Sequence, residues 1–351
     1  MKLARVLLTM VFVVCFSAQF FPAAAGEQVT VVGWGGNWNK AYEKGVWKPY
    51  MKQTGVKIIQ EEWMGEVAKI RAQVQAGNII YDMVSVEAPG AEIGCAEGLF
   101  VKLPRSVTGD PDKYLPETIH ECGVASDTWA DVMVYNADFI KGKIPKSWAD
   151  FWDVKKFPGK RQLYGQAQFT FENALLADGV PVSEVYKVLR SPGGVDRVFK
   201  VLDRIRPHVI WWNQTTQAMQ NLASGEVVIS DGFNARITHE IEAEKKNYVI
   251  LWEAGYFYGT DLWVVVNGAP NMKAALDLLT WFSEPKNQAG FSNNFAYGTG
   301  RVEAINYVSE TKRAQLPTAP QNIKYGAPYD IEYWVENKEA LEKRFKTWLS
   351  K

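Results

Sequence analysis

The chain has 351 residues, with 39 basic and 39 acidic side chains and only three histidines. That balance removes the electrostatic basis for a nucleic-acid or anionic-membrane partner. His120, His208 and His239 sit far apart in the sequence, at no metal-ligand spacing, which argues against a zinc centre. In chain order, Lys2 and Arg5 come first, ahead of an apolar stretch over residues 6–21, with Ala23-Ala24-Ala25 behind it. This is the layout of a secretory signal peptide over residues 1–25. The stretch is short of the about 20 apolar residues a bilayer span needs, and it contains Gln19. Cleavage after Ala25 leaves 326 residues, exported to the periplasm and carrying 37 basic and 39 acidic groups. A chain of that length exceeds what one core comfortably fills, so two domains are expected.

A β-branched run predicts a strand over 28–32, stopped by Gly33-Trp34-Gly35-Gly36, and then a helix over 37–53. A strand over 56–60 follows, then a helix with Val67, Ile70 and Val74 on one face and Gly77 as its stop. Residues 81–87 read as a buried strand ending at Glu87. The alternation resumes after Lys160, with strands at 162–166, 226–232 and 260–266. Helices are expected at 171–177, 183–189, 195–206, 273–282 and 338–349. The order implies an α/β fold, each lobe a mainly parallel sheet with helices on both faces. Ligands of such sheets sit beyond the carboxyl ends of the strands. The residues there are Trp34 and Gly35, Glu87, Gln166, Phe233 and Asn234, and Tyr256, Tyr258 and Asp261. Of the two cysteines that survive processing, export makes a Cys95–Cys122 disulfide the expectation over a metal site. It would add roughly 3 kcal/mol.

Catalytic signatures are missing. A dinucleotide fingerprint would need glycine where Trp38 stands, and neither a phosphate-binding P-loop nor a G-x-S-x-G elbow occurs. A pair drawn from Glu87, Glu172, Asp231 and Asp261 is the remaining route to hydrolysis. No catalytic residue, cofactor or metal is assigned.

Several segments carry a resemblance. "GWGGNWNKAYEKGVWKPYMKQTGVKI", "YDMVSVE", "PKSWADFWDVKKFPGK" and "LASGEVVISDGFNARI" occur in that order. Together they resemble periplasmic solute-binding proteins of ABC importers, in the spermidine/putrescine-binding branch. The resemblance implies two α/β lobes joined by crossing strands, closing as a monomer on one solute and delivering it to permease subunits in the inner membrane. It implies lobe one at 26–133 plus 261–301 and lobe two at 134–260 plus 302–351. It makes Trp34 a cleft wall, Asp261 the amine-pairing carboxylate and Phe233 a stacking residue. Glu87 stands where that branch has a small hydroxyl residue. Gln166 and Phe169 stand where it has two acids, so the anion for the far end of a diamine is lost.

The expected cargo is therefore a small organic cation or zwitterion, with Asp261 and Glu87 facing an ammonium. Trp34, Phe233, Tyr256 or Tyr258 would supply cation–π walls, and Gln166 and Asn234 amide donors. For a zwitterion, Arg236 is available to a carboxylate. The alternative is an exported sugar-binding or carbohydrate-active protein whose aromatics stack on sugar rings.

Overall fold

The structure is a computed structural model and describes residues 27–351. The signal-peptide segment lies outside the described residues. Among them no helix is long and apolar enough to cross a membrane.

Eleven strands form one sheet among the described residues. They are β1 (Gln28–Gly33), β2 (Lys57–Glu62), β3 (Met83–Glu87), β4 (Ile119–His120), β5 (Gly123–Asn136) and β6 (Arg161–Tyr164). Then come β7 (Val209–Trp212), β8 (Ile229–Phe233), β9 (Tyr248–Ile250), β10 (Tyr256–Val265) and β11 (Gly326–Pro328). The main path runs β2-β1-β3-β10-β5-β8-β6-β7. Its two ends, β2-β1-β3 and β8-β6-β7, are parallel, as helical crossovers demand. Antiparallel β10 and β5 join them, pairing with each other from Phe257 and Asp131 to Val264 and Gly123. These are the two longest strands among the described residues, buried along their whole length although β5 carries Asp127 and Asp131. The two-lobed α/β architecture expected from the sequence is therefore present, built as one sheet bridged by two strands.

Helices cover both faces. One core packs Val32, Val84, Val86, Leu262 and Val264 around the Cys95–Cys122 disulfide. A second packs Val132, Val134, Trp212, Leu222 and Ile237 at the other end. The helix expected over 37–53 runs over Gly36–Tyr42 and Lys48–Thr54 with a π turn at Glu43–Trp47 between them. The cause is a backbone contact: a Cβ on Gly45 would lie 2.0 Å from the Gly290 carbonyl oxygen. A wider turn lets the two segments touch there. The strand expected at 162–166 ends at Tyr164, and the C-terminal helix begins earlier than expected, at Ile331–Leu349.

Candidate functional site

Three strand ends and two strand middles meet around a cavity of 190 Å³. Trp34 follows β1, Glu87 ends β3, and Phe233 ends β8. Trp129 and Asp261 come from the middle of the two joining strands. Trp38, Met64, Thr215, Arg236 and Tyr297 complete the lining. The volume is small beside the about 300–1,000 Å³ of drug-sized pockets; at about 30 Å³ per water it matches roughly six waters.

Each wall is held by a polar bond below it. Trp129 Nε1 donates to Asp261 Oδ1 at 2.9 Å, and Trp38 Nε1 donates to Asp127 Oδ2 at 2.8 Å. Trp34 Nε1 donates to Ser85 Oγ at 3.0 Å, which in turn bonds Ser126 Oγ. Further back, Trp212 Nε1 meets Asp231 at 2.6 Å and Trp334 Nε1 meets Glu172 at 2.7 Å. An indole N–H on a buried carboxyl is thus the recurring device that locks aromatic planes in this protein. Phe169 adds edge-on contacts to Trp129 and Phe233 at 5.3 and 6.5 Å. Its φ of 66° is strained for a bulky side chain, a conformation that persists only where packing enforces it.

The acidic end is sequestered from water. Burial raises Asp261 well above the usual carboxylate range, and the charges of Asp127 and Glu87 raise it further. Burial lifts Asp127 to about 7, opposed by its bonds to Trp38 and Ser126. The basic end is Arg236, whose guanidinium lies 5.4 Å from the Phe295 ring centroid and beside Tyr297. No ion pair joins Arg236 to a carboxylate among the described residues. Arg236, the buried Asp261 and the half-buried Glu87 therefore share one small aromatic box, with Asp127 directly behind Asp261 in the sheet.

The structure brings four of the expected residues, Trp34, Glu87, Phe233 and Asp261, into this cavity. Gly35 lies just outside, lining an adjoining 550 Å³ cavity with Trp34 and Arg236. Tyr258 lines a 10 Å³ pocket that also touches Glu87 and Trp129. Tyr256 is turned away, fully buried, its hydroxyl donating to the Pro317 carbonyl at 2.6 Å. Asn234 is no free amide donor. Its Oδ1 accepts from the Ala130 N–H, and its Nδ2 donates to the Ala296 and Gln315 carbonyls. Gln166 stands before the kinked helix Ala167–Ala177 and lines none of these cavities. Arg236, noted in the sequence only as a conditional partner, and Trp129, Trp38 and Tyr297 join the site instead. The alternation Asp127, Trp129, Asp131 is the signal that marks this stretch, because period-two spacing puts all three on one strand face.

Residues 45–320 match the family model described as bacterial extracellular solute-binding protein. The chain belongs to that family. This solute-binding protein is 40% identical over 334 residues to a γ-aminobutyric acid-binding protein of Pseudomonas aeruginosa, covering 94% of each chain. An ABC transporter substrate-binding protein from Bradyrhizobium japonicum superposes with a TM-score of 0.84 at 30% identity, covering 92% of this chain and 99% of the other. A γ-aminobutyric acid receptor structure gives 0.80 at 29% identity, covering 92% and 98%. These relatives are binding components of transporters rather than enzymes, and so is this solute-binding protein.

Proposed function

We propose that this protein captures a short ω-amino acid, γ-aminobutyrate in chemical type, and presents it to an ABC permease in the inner membrane. The observation that carries the reading is the pairing of opposite charges in one small cavity: Arg236 beside Tyr297, and Asp261 beside Glu87. A ligand carboxylate on Arg236 and an ammonium on Asp261 would neutralise both ends. Trp34, Trp38, Trp129 and Phe233 would cover the methylenes between. The 40% identical relative carries the same cargo in its name. A diamine leaves Arg236 facing a second cation, which is costly where water is thinned, and a neutral sugar leaves the half-buried Arg236 and the buried Asp261 without a charge partner.

Capture needs only that the ligand bind the closed arrangement of the lobes better than the open one. Lobe one is assigned to 26–133 plus 261–301 and lobe two to 134–260 plus 302–351, so β5 and β10 are the hinge. The protein works as a periplasmic monomer. Titration calorimetry of the mature protein is the test, with γ-aminobutyrate, putrescine and butyrate as ligands. γ-Aminobutyrate is expected to bind with micromolar or better affinity, about 8 kcal/mol, and the other two at least a hundredfold more weakly. Preference for putrescine, or for a sugar, would replace this reading.

A further inference from the structure

We propose that capture of the ω-amino acid displaces a proton held by Asp261 and Asp127, which with Glu87 form a row of three carboxyl groups, and that the ligand's ammonium takes that proton's place. The inference rests on the ω-amino acid reading above. The row is a product of strand register. In the ladder β3-β10-β5, Asp261 is the direct partner of Glu87 on one side and of Asp127 on the other. Directly opposed residues of antiparallel strands stand about 4.5–5.5 Å apart at Cα, and like charges there destabilise the pairing.

Water reaches the half-buried Glu87 at the mouth of the row but cannot relieve the repulsion between the two inner members. Asp127 is wholly buried and Asp261 is 5% exposed. Asp127 Oδ2 accepts from Trp38 and Ser126, whereas its Oδ1 is buried without a partner. Tyr164 at the end of β6 and Tyr329 beyond β11 lie against Glu87, each raised by burial and then by that charge, and three further elements face Asp261 and Asp127 with titratable or charged groups. The helix Gly36–Tyr42 brings Tyr42, the helix Asn234–Ala243 brings Arg236, and the segment after Ser292 brings Tyr297. Burial raises Tyr42 and Tyr297 above their ordinary value, so neither exchanges a proton near neutrality. Among the described residues Arg236 is the cation that acts on Asp127, and it cannot balance three anions. The raised values of Asp127 and Asp261 agree with a retained proton, which belongs to the row rather than to either residue.

The balance is simple. A zwitterionic ligand arrives with its ammonium already protonated. Its positive charge lies against the row while its carboxylate draws on Arg236. The row then holds its full negative charge without the proton, which leaves to the buffer.

Calorimetry with γ-aminobutyrate at pH 7, in phosphate and in Tris, reads this directly. The observed heats should differ by the difference in buffer ionisation enthalpy times close to one proton released per ligand. Between pH 6 and 8 the affinity should rise with pH, by up to about tenfold per unit. In Asp127→Asn both effects should shrink sharply, whatever happens to the affinity itself; Glu87→Gln should do the same and serves if the first variant does not fold. Buffer-independent heat in the wild-type protein overturns the proposal while leaving the ω-amino acid reading intact, and so does undiminished proton release in a folded variant. Absence of any ω-amino acid binding overturns both.

Discussion

Neutralising Arg236 and neutralising Asp261 would remove opposite ends of one ligand. Truncating a buried charge partner costs about 2–5 kcal/mol, so Arg236→Gln should weaken γ-aminobutyrate roughly thirtyfold or more. An amine lacking the carboxylate, such as butylamine, should bind no worse to that variant. Asp261→Asn should show the mirror image, weakening γ-aminobutyrate while leaving butyrate untouched. Calorimetry with the three ligands checks the cross-over, and an equal loss for all three would place these residues in folding rather than recognition. Sequence reasoning reached Asp261, Glu87, Trp34 and Phe233 because each ends or interrupts a strand, where ligands gather. It missed the true setting of Asn234 and Tyr256, since an amide or a phenol at a strand end satisfies itself on backbone as readily as on a ligand. Nothing local distinguishes the two outcomes: the Ala296 and Pro317 carbonyls that take their protons lie more than sixty residues away.

At the scale of elements, the helix from Gly36 to Thr54 positions Trp38 and depends on a contact with no side chain in it. The backbones of Gly45 and Gly290 touch, and a methyl group on either would collide with the other's carbonyl oxygen at 2.0–2.1 Å. Gly45→Ala should force the helix off the segment Pro285–Ser292. Overpacking of this kind costs about 1–3 kcal/mol, visible as a lower urea midpoint and a loosened Trp38. An unchanged midpoint would show that the π turn has another cause. The parallel strands other than β7 were legible because strand and helix periods alternate with glycine between them; β7, Val209–Trp212, was not among the expected strands. The strand β5 was not, because in Ser126-Asp127-Thr128-Trp129-Ala130-Asp131 four of six side chains are polar, three of them in a row. Such a run reads as a solvated loop until its two carboxyls are seen to be buried, Asp127 under the Trp38 indole and Asp131 under the Asn173 amide. The kink at Gln168 and Phe169 was equally hidden, since the strain there is set by tertiary packing around Trp129.

Across the whole molecule, the buried acids set the pH response. Asp127 and Asp231 are raised from 3.8 to about 7, and Glu172 from 4.5 to about 7, each chiefly by burial. In the unfolded chain these groups ionise near pH 4, whereas the folded chain keeps their protons until about pH 7. The folded state therefore binds more protons across that window, and stability must fall as pH rises through it. Urea unfolding of ligand-free protein should show a lower midpoint at pH 8 than at pH 5, and γ-aminobutyrate should raise the midpoint more at pH 8. A midpoint that climbs over this range would mean the acids are ionised when folded. The joining strands carry a last implication. β5 and β10 hold Asp127, Trp129 and Asp261 and are also the main-path strands that connect the two parallel ends of the sheet. On the proposed reading, the flexure that sets how wide the molecule rests would be made of the same residues that read the cargo. Retargeting the protein by substitution at these positions would retune its compliance together with its taste, so altered affinity and altered opening rate should be inherited as a pair.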